Sequence, residues 1–184
     1  MRLNPSWLPA CKVVELGSGL GCCGVTAACF GADVVLTDLV DVVPQLLRTI
    51  ELNRGPISDG NGKAVAVELK WGSNVQPILD VWGQPPDLIL MSDCVYYEES
   101  LQPLLDTLRA LCPPRKQILI SQEFRDTGRQ EFFIGTFLRY LSETFDIIEV
   151  VDDLDEVYRS KDIHVYLATK RAFPSDGEDR KPTV

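Results

Sequence analysis

The sequence predicts a single α/β domain built on a Rossmann-like, doubly wound sheet of seven strands. Three observations indicate this fold. Short apolar runs alternate five times with segments of helical spacing, a glycine-rich turn follows the first run, and two further apolar runs end the pattern without a clear helix between them. Since adjacent strands without a crossover helix are usually antiparallel, we expect a mostly parallel sheet with an antiparallel C-terminal strand.

The predicted strands are short runs rich in Val, Ile and Leu. The fourth run has no polar alternation, which is typical of a strand buried on both faces. The seven strands are KVVEL (12–16), DVVLTD (33–38), AVAVEL (64–69), PDLILMSD (86–93), KQILISQE (116–123), DIIEVV (146–151) and IHVYLAT (163–169).

Helices are predicted between the strands from apolar residues at helical spacing and from Gly and Pro at the segment ends. They are CCGVTAACFG (22–31), VVPQLLRTIELNRG (42–55), SLQPLLDTLRALC (100–112) and RQEFFIGTFLRYLSETF (129–145). The cluster PISDGNGK (56–63) is predicted to be a turn. We place the domain at residues 1–170 and expect residues 171–184 to be a disordered tail, because the end of the chain is polar.

Composition and charge exclude several classes of protein. The 184 residues carry a net charge of −9, which argues against a nucleic-acid partner and suits a cationic substrate, although solubility alone also explains it. No apolar run approaches the roughly 18 residues of a membrane span, and no signal peptide is recognisable. Six cysteines without a C-x-x-C pair and a single histidine argue against a metal site. We expect a monomer in the cytoplasm, with the nucleus as a second location.

The loop after the first strand is the strongest candidate for a ligand site. Ligands of doubly wound sheets bind outside the carboxyl ends of the strands, and glycines let the backbone approach them closely. Residues 15–21 read ELGSGLG, and Gly19, Gly21 and Gly24 form a G-x-G-x-x-G pattern that suggests NAD. Asp38 ends the second strand and could hold ribose hydroxyls. The pattern therefore indicates an adenosine-containing ligand without deciding which one, and a glycine turn that only packs strand on helix stays an alternative.

Three features favour S-adenosylmethionine over NAD. Glu15 stands two positions before the glycines, where a carboxylate can accept hydrogen bonds from the ammonium end of the ligand. The antiparallel last strand suits a methyltransferase sheet. Finally, 184 residues leave no room for the separate substrate domain of a dehydrogenase.

Several segments resemble the methyltransferase-like 21 proteins, which are seven-β-strand protein-lysine methyltransferases of family 16. The matching segments are VVELGSGLGCCG, ADVVLTDL, LKWG, PPDLILMSDCVYYEESLQPLL and YRSKDIHVYL, between about residues 12 and 170. The resemblance implies an S-adenosylmethionine-dependent protein-lysine N-methyltransferase of class 2.1.1. The subgroup that methylates the valosin-containing AAA ATPase is the most similar, so the resemblance implies this ATPase as the partner.

The same resemblance assigns roles to individual residues. The residues implied to bind the methionine end of the cofactor are Glu15, Gly17 and Gly19. Asp38 is implied to hold the ribose, Leu39 to lie beside the adenine, Trp71 to pack on it, and Ser92 to lie where the fourth strand passes the cofactor. Asp93 and Tyr96 form a D-x-x-Y motif and are implied to be catalytic.

The chemistry of lysine methylation explains a carboxylate and a phenol at this position. A lysine amine has a pKa near 10.4, so only about one in 2,500 is neutral at pH 7, and only the neutral form attacks a methyl group. Because a carboxylate raises the pKa of a nearby amine, we expect Asp93 to align the lysine rather than deprotonate it. Tyr96 can accept a hydrogen bond and offer its ring face to a cation. An unpaired Asp93 at the sheet edge would need such a role.

The sequence assigns no catalytic or cofactor-binding role to three further residues near this motif. Tyr97 is expected only to cover the edge of the sheet. Glu123 and Arg125 end the fifth strand, and they either contact the substrate or form an internal ion pair.

Members of the family carry a β-hairpin and a helix before the first strand, which MRLNPSWLPACK (1–12) does not match. We therefore expect an open cofactor pocket and weakened activity for this chain. Alternatives to a protein-lysine methyltransferase are a small-molecule methyltransferase, a nicotinamide oxidoreductase, and a catalytically silent module that binds a partner.

Overall fold

A computed structural model describes residues 8–151, 156 and 159–172 of the chain. Its strands are β1 (Lys12–Leu16), β2 (Asp33–Asp38), β3 (Lys63–Glu68), β4 (Leu88–Ser92), β5 (Gln117–Glu123), β6 (Phe145–Glu149) and β7 (Ile163–Lys170). They form one seven-stranded sheet in the order β3-β2-β1-β4-β5-β7-β6. Neighbouring strands are parallel except for β7, which is antiparallel to both β5 and β6. The predicted fold class is confirmed, and residues 173–184 of the predicted tail lie outside the described residues.

The connections place a crevice at the centre of the sheet. From β1 the chain runs outward through β2 to β3, whereas from β4 it runs outward in the other direction to β5. The carboxyl ends of β1 and β4 therefore lie at the point where the strand order reverses, which is where doubly wound sheets bind ligands. The central strands are buried on both faces: Val13, Val14, Val34 and Val35 have no exposed surface.

The helices lie on both sides of this sheet. They are α1 (Cys22–Cys29), α2 (Val43–Leu52), α3 (Arg54–Asp59), α4 (Gln76–Asp80), α5 (Glu98–Leu111), α6 (Thr127–Phe132) and α7 (Arg139–Leu141), with a π-helical turn at Phe133–Leu138 joining the last two. Within the described ranges, no helix has the length and apolar character needed to cross a bilayer.

The predicted turn at 56–63 is wrong in its first half, because α3 occupies residues 54–59. Pro56 lies in the first turn of this helix. A proline is tolerated there, since the backbone N–H groups of a first turn have no partner within the helix. α4 was also not predicted, and it too carries a proline, Pro77, in its first turn.

The predicted helix at 129–145 begins earlier and ends earlier. Asp126 caps α6 with its Oδ1 atom, which accepts a hydrogen bond of 2.9 Å from the backbone N–H of Arg129. The helical stretch ends at Leu141, and Phe145 already belongs to β6. Phe133 and Phe137 from the π-helical turn are fully buried with Phe145. This aromatic cluster fixes the segment that follows the end of β5.

Candidate active site

Three glycines after β1 take left-handed backbone conformations. Their φ angles are 59° at Gly17, 55° at Gly19 and 77° at Gly21, a region that side chains with a Cβ atom rarely enter. Ser18 fastens the loop to the end of β2. Its backbone N–H donates to the Thr37 carbonyl at 2.9 Å, and its Oγ accepts from the Thr37 N–H at 3.0 Å. The loop is therefore held rigidly across the crevice.

Asp38 is joined to this loop by a hydrogen bond that the sequence pattern did not predict. Its Oδ2 atom accepts a hydrogen bond of 2.8 Å from the backbone N–H of Gly19. Its Oδ1 atom accepts a hydrogen bond of 2.7 Å from the N–H of Leu39. The Asp38 carboxylate thus lies between the glycine loop and the end of β2, and the two hydrogen bonds fix its orientation.

Glu15 lies beneath the loop rather than at the cavity surface. Its side chain is 3% exposed, and its Oε2 accepts a hydrogen bond of 3.1 Å from the Gly24 N–H. Burial raises the pKa of Glu15 to about 7, and the hydrogen bond from Gly24 opposes this rise. A Cβ at position 24 would lie 2.6 Å from Oε2. The last glycine of the G-x-G-x-x-G pattern therefore leaves space for the Glu15 side chain. This packing explains the glycine without a nicotinamide ligand.

A cavity of about 520 Å³ opens beside the glycine loop. Its lining includes six of the predicted site residues: Gly17, Gly19, Asp38, Leu39, Trp71 and Tyr96. In the part of the chain that the structure describes, Glu15 and Ser92 lie outside this lining. Ser92 instead places its Oγ 3.4 Å from the Sγ of Cys23. The proposed cofactor contacts of Glu15 and Ser92 stay predictions.

Five further residues line this cavity and were not identified from the sequence. They are Leu69, Lys70, Glu99, Ser100 and Pro103. Two of them directly precede Trp71 in the connection after β3, and three lie in the first turns of α5. For Leu69 and Lys70, the only indication in the sequence was the matched segment LKWG. The second group comes close to the loop only through the packing of α5 on the sheet.

Asp93 follows β4 in a left-handed conformation, with φ of 53°. Its backbone N–H donates to the Ser121 carbonyl at 2.8 Å. Its Oδ1 accepts a hydrogen bond of 2.7 Å from Gln122 Nε2, and its Oδ2 accepts one of 2.7 Å from Arg125 Nη2. The expectation of an unpaired carboxylate is therefore wrong. The register of β4 on β5 brings both partners to it.

Arg125 joins two carboxylates. In addition to its bond to Asp93, its Nε donates to Glu123 Oε2 at 2.6 Å. The hydrogen bond to Glu123 and the charge of Asp93 raise the pKa of the guanidinium. Of the two roles considered for Glu123 and Arg125, the ion pair is confirmed. Gln122, which is 3% exposed, was not predicted, although a polar residue in the apolar run ILIS-Q-E was a visible signal.

A second, polar cavity of about 310 Å³ lies next to the first. It is lined by Asp93, Tyr96, Tyr97, Arg125 and Arg129. Tyr96 and Tyr97 line both cavities, and their rings meet edge to face with centroids 5.3 Å apart. Tyr97 therefore does more than cover the sheet edge. Burial raises the pKa of Tyr96, so its phenol stays neutral and can donate or accept a hydrogen bond.

The described residues, 8–151, 156 and 159–172, contain no group of three or more His, Cys, Asp or Glu side chains that could hold a metal ion. Apart from the glycine loop, the polar groups that line the two cavities include three carboxylates, three cations, two phenols and one hydroxyl: Asp38, Glu99 and Asp93, Lys70, Arg125 and Arg129, Tyr96 and Tyr97, and Ser100. The larger cavity and the cavity that contains Asp93 have Tyr96 and Tyr97 in common.

Comparison with known proteins places the chain among methyltransferases. A family model described as lysine methyltransferase matches residues 4–136. The chain is 35% identical over 164 residues to the protein N-lysine methyltransferase METTL21A of Mus musculus, covering 89% of this chain and 68% of that protein. It is 33% identical over 165 residues to the EEF1A lysine methyltransferase 3 of Mus musculus, covering 88% and 66%. The chain thus spans about two thirds of the length of these relatives.

Solved structures agree on the fold. The glycopeptide N-methyltransferase MtfA, complexed with S-adenosyl-L-homocysteine, superposes with a TM-score of 0.66 at 12% identity, covering 91% of this chain and 88% of that one. This likeness supports the Rossmann-like architecture of the sheet.

Proposed function

The chain belongs to the lysine methyltransferase family, within its methyltransferase-like 21 group, and from this premise we propose that it methylates a lysine side chain of a protein substrate. The predicted family, enzyme class and S-adenosylmethionine cofactor are confirmed at the level of the family. The family match also contradicts the alternative of a nicotinamide oxidoreductase. The identity of the substrate protein belongs to the proposal.

One observation carries the proposal: the two cavities share the wall formed by Tyr96 and Tyr97. A methyl donor in the larger cavity and a lysine in the polar cavity would meet at this wall. Methyl transfer requires the donor and the acceptor to be held in line, and positioning of this kind accounts for much of enzymatic rate enhancement. Two adjoining cavities of different polarity are suited to that task.

The residues of the larger cavity fit S-adenosylmethionine, which supplies an electrophilic methyl group when it is bound. Asp38 offers carboxylate oxygens for ribose hydroxyls, and it is already oriented by Gly19 and Leu39. The Trp71 indole and the Leu39 side chain offer apolar surface for the adenine. The left-handed loop at Gly17 and Gly19 exposes backbone to the ligand without any Cβ in the way.

Asp93 is the residue of the polar cavity that suits a lysine side chain, because the other charged residues of the lining, Arg125 and Arg129, are cations. Asp93 carries a negative charge there, and its hydrogen bonds fix the direction of its carboxylate. The same charge favours the ammonium form of lysine, so Asp93 binds and aligns the amine, and the proton leaves to water. Tyr96 places a neutral phenol between the two cavities, where its ring face can stabilise a cationic group.

The resemblance supports the valosin-containing AAA ATPase as the partner, and the name of one relative suggests EEF1A as a second candidate. The net charge of −9 favours a basic, lysine-bearing surface over an acidic one. We propose further that the protein acts as a monomer in the cytoplasm or the nucleus. Neither nucleic acid nor a membrane is among the proposed partners.

The test is a methyl-transfer assay on both candidate proteins with S-adenosylmethionine carrying an isotope-labelled methyl group. Peptide mass spectrometry then identifies the labelled residue. The proposal predicts label on a lysine Nζ of one of the two proteins, and loss of label when that lysine is replaced by arginine. A chain that binds a candidate protein and the cofactor yet transfers no methyl group is a silent binding module, and that result contradicts the proposal.

A further inference from the structure

The Arg125 guanidinium lies on the carboxylate that a substrate lysine would need. Its Nη2 is 2.7 Å from Asp93 Oδ2, inside the polar cavity. The other oxygen of Asp93 is bound to Gln122, whose side chain is 3% exposed and is therefore fixed within the fold. Oδ2 is the oxygen bound by a solvent-accessible donor, since the Arg125 side chain is 54% exposed. An entering ammonium group thus meets a site that another cation already occupies.

Arg125 has a second anchor that does not depend on Asp93. Its Nε donates to Glu123 Oε2 at 2.6 Å, and Glu123 lies two residues away on the same strand end. If the bond to Asp93 is lost, this second bond keeps the guanidinium charge paired. Glu123 is 41% exposed, so it can follow a change in the arginine rotamer without leaving the solvent-facing edge.

We propose that Arg125 is a specificity-determining residue that occupies the ammonium position of Asp93 in the free enzyme and exchanges with the substrate lysine. This inference rests on the proposed function and adds a step to it. On binding, the lysine ammonium takes the place of Nη2 on Asp93 Oδ2, while Glu123 retains Arg125. Asp93 is paired with a cation before and after the exchange, so no bare carboxylate is left facing solvent.

The exchange acts as a filter on what can enter the polar cavity. A neutral or acidic side chain cannot replace the guanidinium, because removing Arg125 would leave Asp93 without its charged partner. A primary ammonium carries a positive charge and three N–H donors, so it restores the interaction. Arg125 therefore weakens the binding of lysine compared with an unoccupied Asp93. At the same time it makes the cavity selective against neutral and acidic side chains.

The test compares initial-rate kinetics of the wild-type chain and R125M, with whichever of the valosin-containing ATPase and EEF1A is methylated. The Met side chain keeps an apolar stem and removes the competing charge. The exchange predicts that KM for the protein substrate falls by about two- to fivefold, the size expected for a partly exposed ion pair, while kcat is not reduced. R125K restores a cation beside Asp93, so its KM returns toward the wild-type value.

R139M is the matched control, because it removes the same charge from an exposed arginine that lines neither cavity. Its KM is expected to equal that of the wild type. Calorimetry with S-adenosylhomocysteine shows that each variant keeps its cofactor site.

Two results would overturn the inference in different ways. A KM for R125M that is unchanged or raised, or a reduced kcat, with normal wild-type turnover, contradicts the exchange alone and makes Arg125 a substrate-binding or structural residue. Absence of transfer by the wild type to either protein, despite cofactor binding, overturns the proposed function and the exchange with it.

Discussion

Asp38 accepts a hydrogen bond of 2.8 Å from the backbone N–H of Gly19, which ties the end of β2 to the glycine loop after β1. The two residues are 19 positions apart, and the parallel register of β1 on β2 brings them together. The bond fixes both the loop and the carboxylate at the wall of the larger cavity. It therefore sets the shape of the proposed cofactor site before any ligand arrives.

The first prediction concerns Asp38 itself. D38A removes the acceptor for the Gly19 and Leu39 N–H groups and the expected acceptor for ribose hydroxyls. We expect affinity for S-adenosylmethionine to fall at least about tenfold, the loss typical of charge-assisted hydrogen bonds. Calorimetric titration measures it, with D41A, an exposed acid outside both cavities, as the control. Affinity within twofold of wild type would contradict the role of Asp38.

The glycine loop gives a paired prediction for stability. A Cβ at position 17 would lie 3.0 Å from Cys94 Sγ and 3.1 Å from Trp71 Cζ2, whereas a Cβ at position 19 meets no described atom within 4 Å. Both positions have left-handed backbone, which costs a non-glycine residue roughly 1 kcal/mol. G17A adds overpacking of about 1–3 kcal/mol. Denaturant unfolding of the free protein should therefore show G17A less stable than G19A, and equal losses would contradict this packing.

The variants G17A and G19A also distinguish an effect on folding stability from an effect on ligand binding. Gly19 lines the larger cavity and has no described atom within 4 Å of its Cβ position, so we expect an added methyl group to reach the proposed ligand volume. G19A should weaken S-adenosylmethionine binding even though it is the milder change for folding. A G19A variant with wild-type affinity would show that the ligand does not approach the loop at this position.

Glu15 predicts a pH dependence of the free energy of unfolding. Burial raises its pKa from 4.5 to about 7 in the folded chain, so the folded state binds more protons than the unfolded state between these values. Its contribution to stability is fully present below about pH 4.5 and is lost as pH rises through about 7. E15Q removes the titrating group. The free energy of unfolding of E15Q minus that of the wild type should therefore increase by about 3 kcal/mol from pH 4.5 to pH 8. Denaturant unfolding at several pH values checks this, and parallel pH profiles for the two proteins would contradict it.

Asp93 gives the prediction for turnover. D93N keeps the side-chain shape and suits the left-handed backbone, which Asn adopts more readily than most residues. It removes the negative charge that aligns the lysine ammonium. We expect kcat/KM for the protein substrate to fall about tenfold or more, with cofactor affinity close to wild type, since Asp93 lies outside the lining of the larger cavity. Near-normal turnover by D93N would remove Asp93 from the mechanism.

The sequence predicted the sheet well because β1, β2 and β4 are largely buried apolar runs, such as VVLT in β2, and the other strands are still rich in Val, Ile and Leu. The short helices α3 and α4 were missed because Pro56 and Pro77 are read as breakers, although a first turn tolerates them. Glycine-loop residues and Asp38 were predictable because a local pattern defines them.

The pairing of Asp93 was not predictable in the same way. Its partners Gln122 and Arg125 are 29 and 32 positions away, and only the register of β4 on β5 brings them to it. The lining residues Ser100 and Pro103 likewise reach the larger cavity through the packing of α5. Contacts of this kind depend on tertiary structure, so the matched segment that contains Asp93, Ser100 and Pro103 did not reveal them.

Calorimetric titration of the 184-residue chain with S-adenosylmethionine, S-adenosylhomocysteine and NAD is the most direct test of the claim that the cavity beside Gly17 and Asp38 is a methyl-donor site. Binding of the first two ligands in the micromolar range, without binding of NAD, is the predicted result. Binding of NAD, or no binding of either adenosyl ligand, would contradict a working S-adenosylmethionine site in this chain.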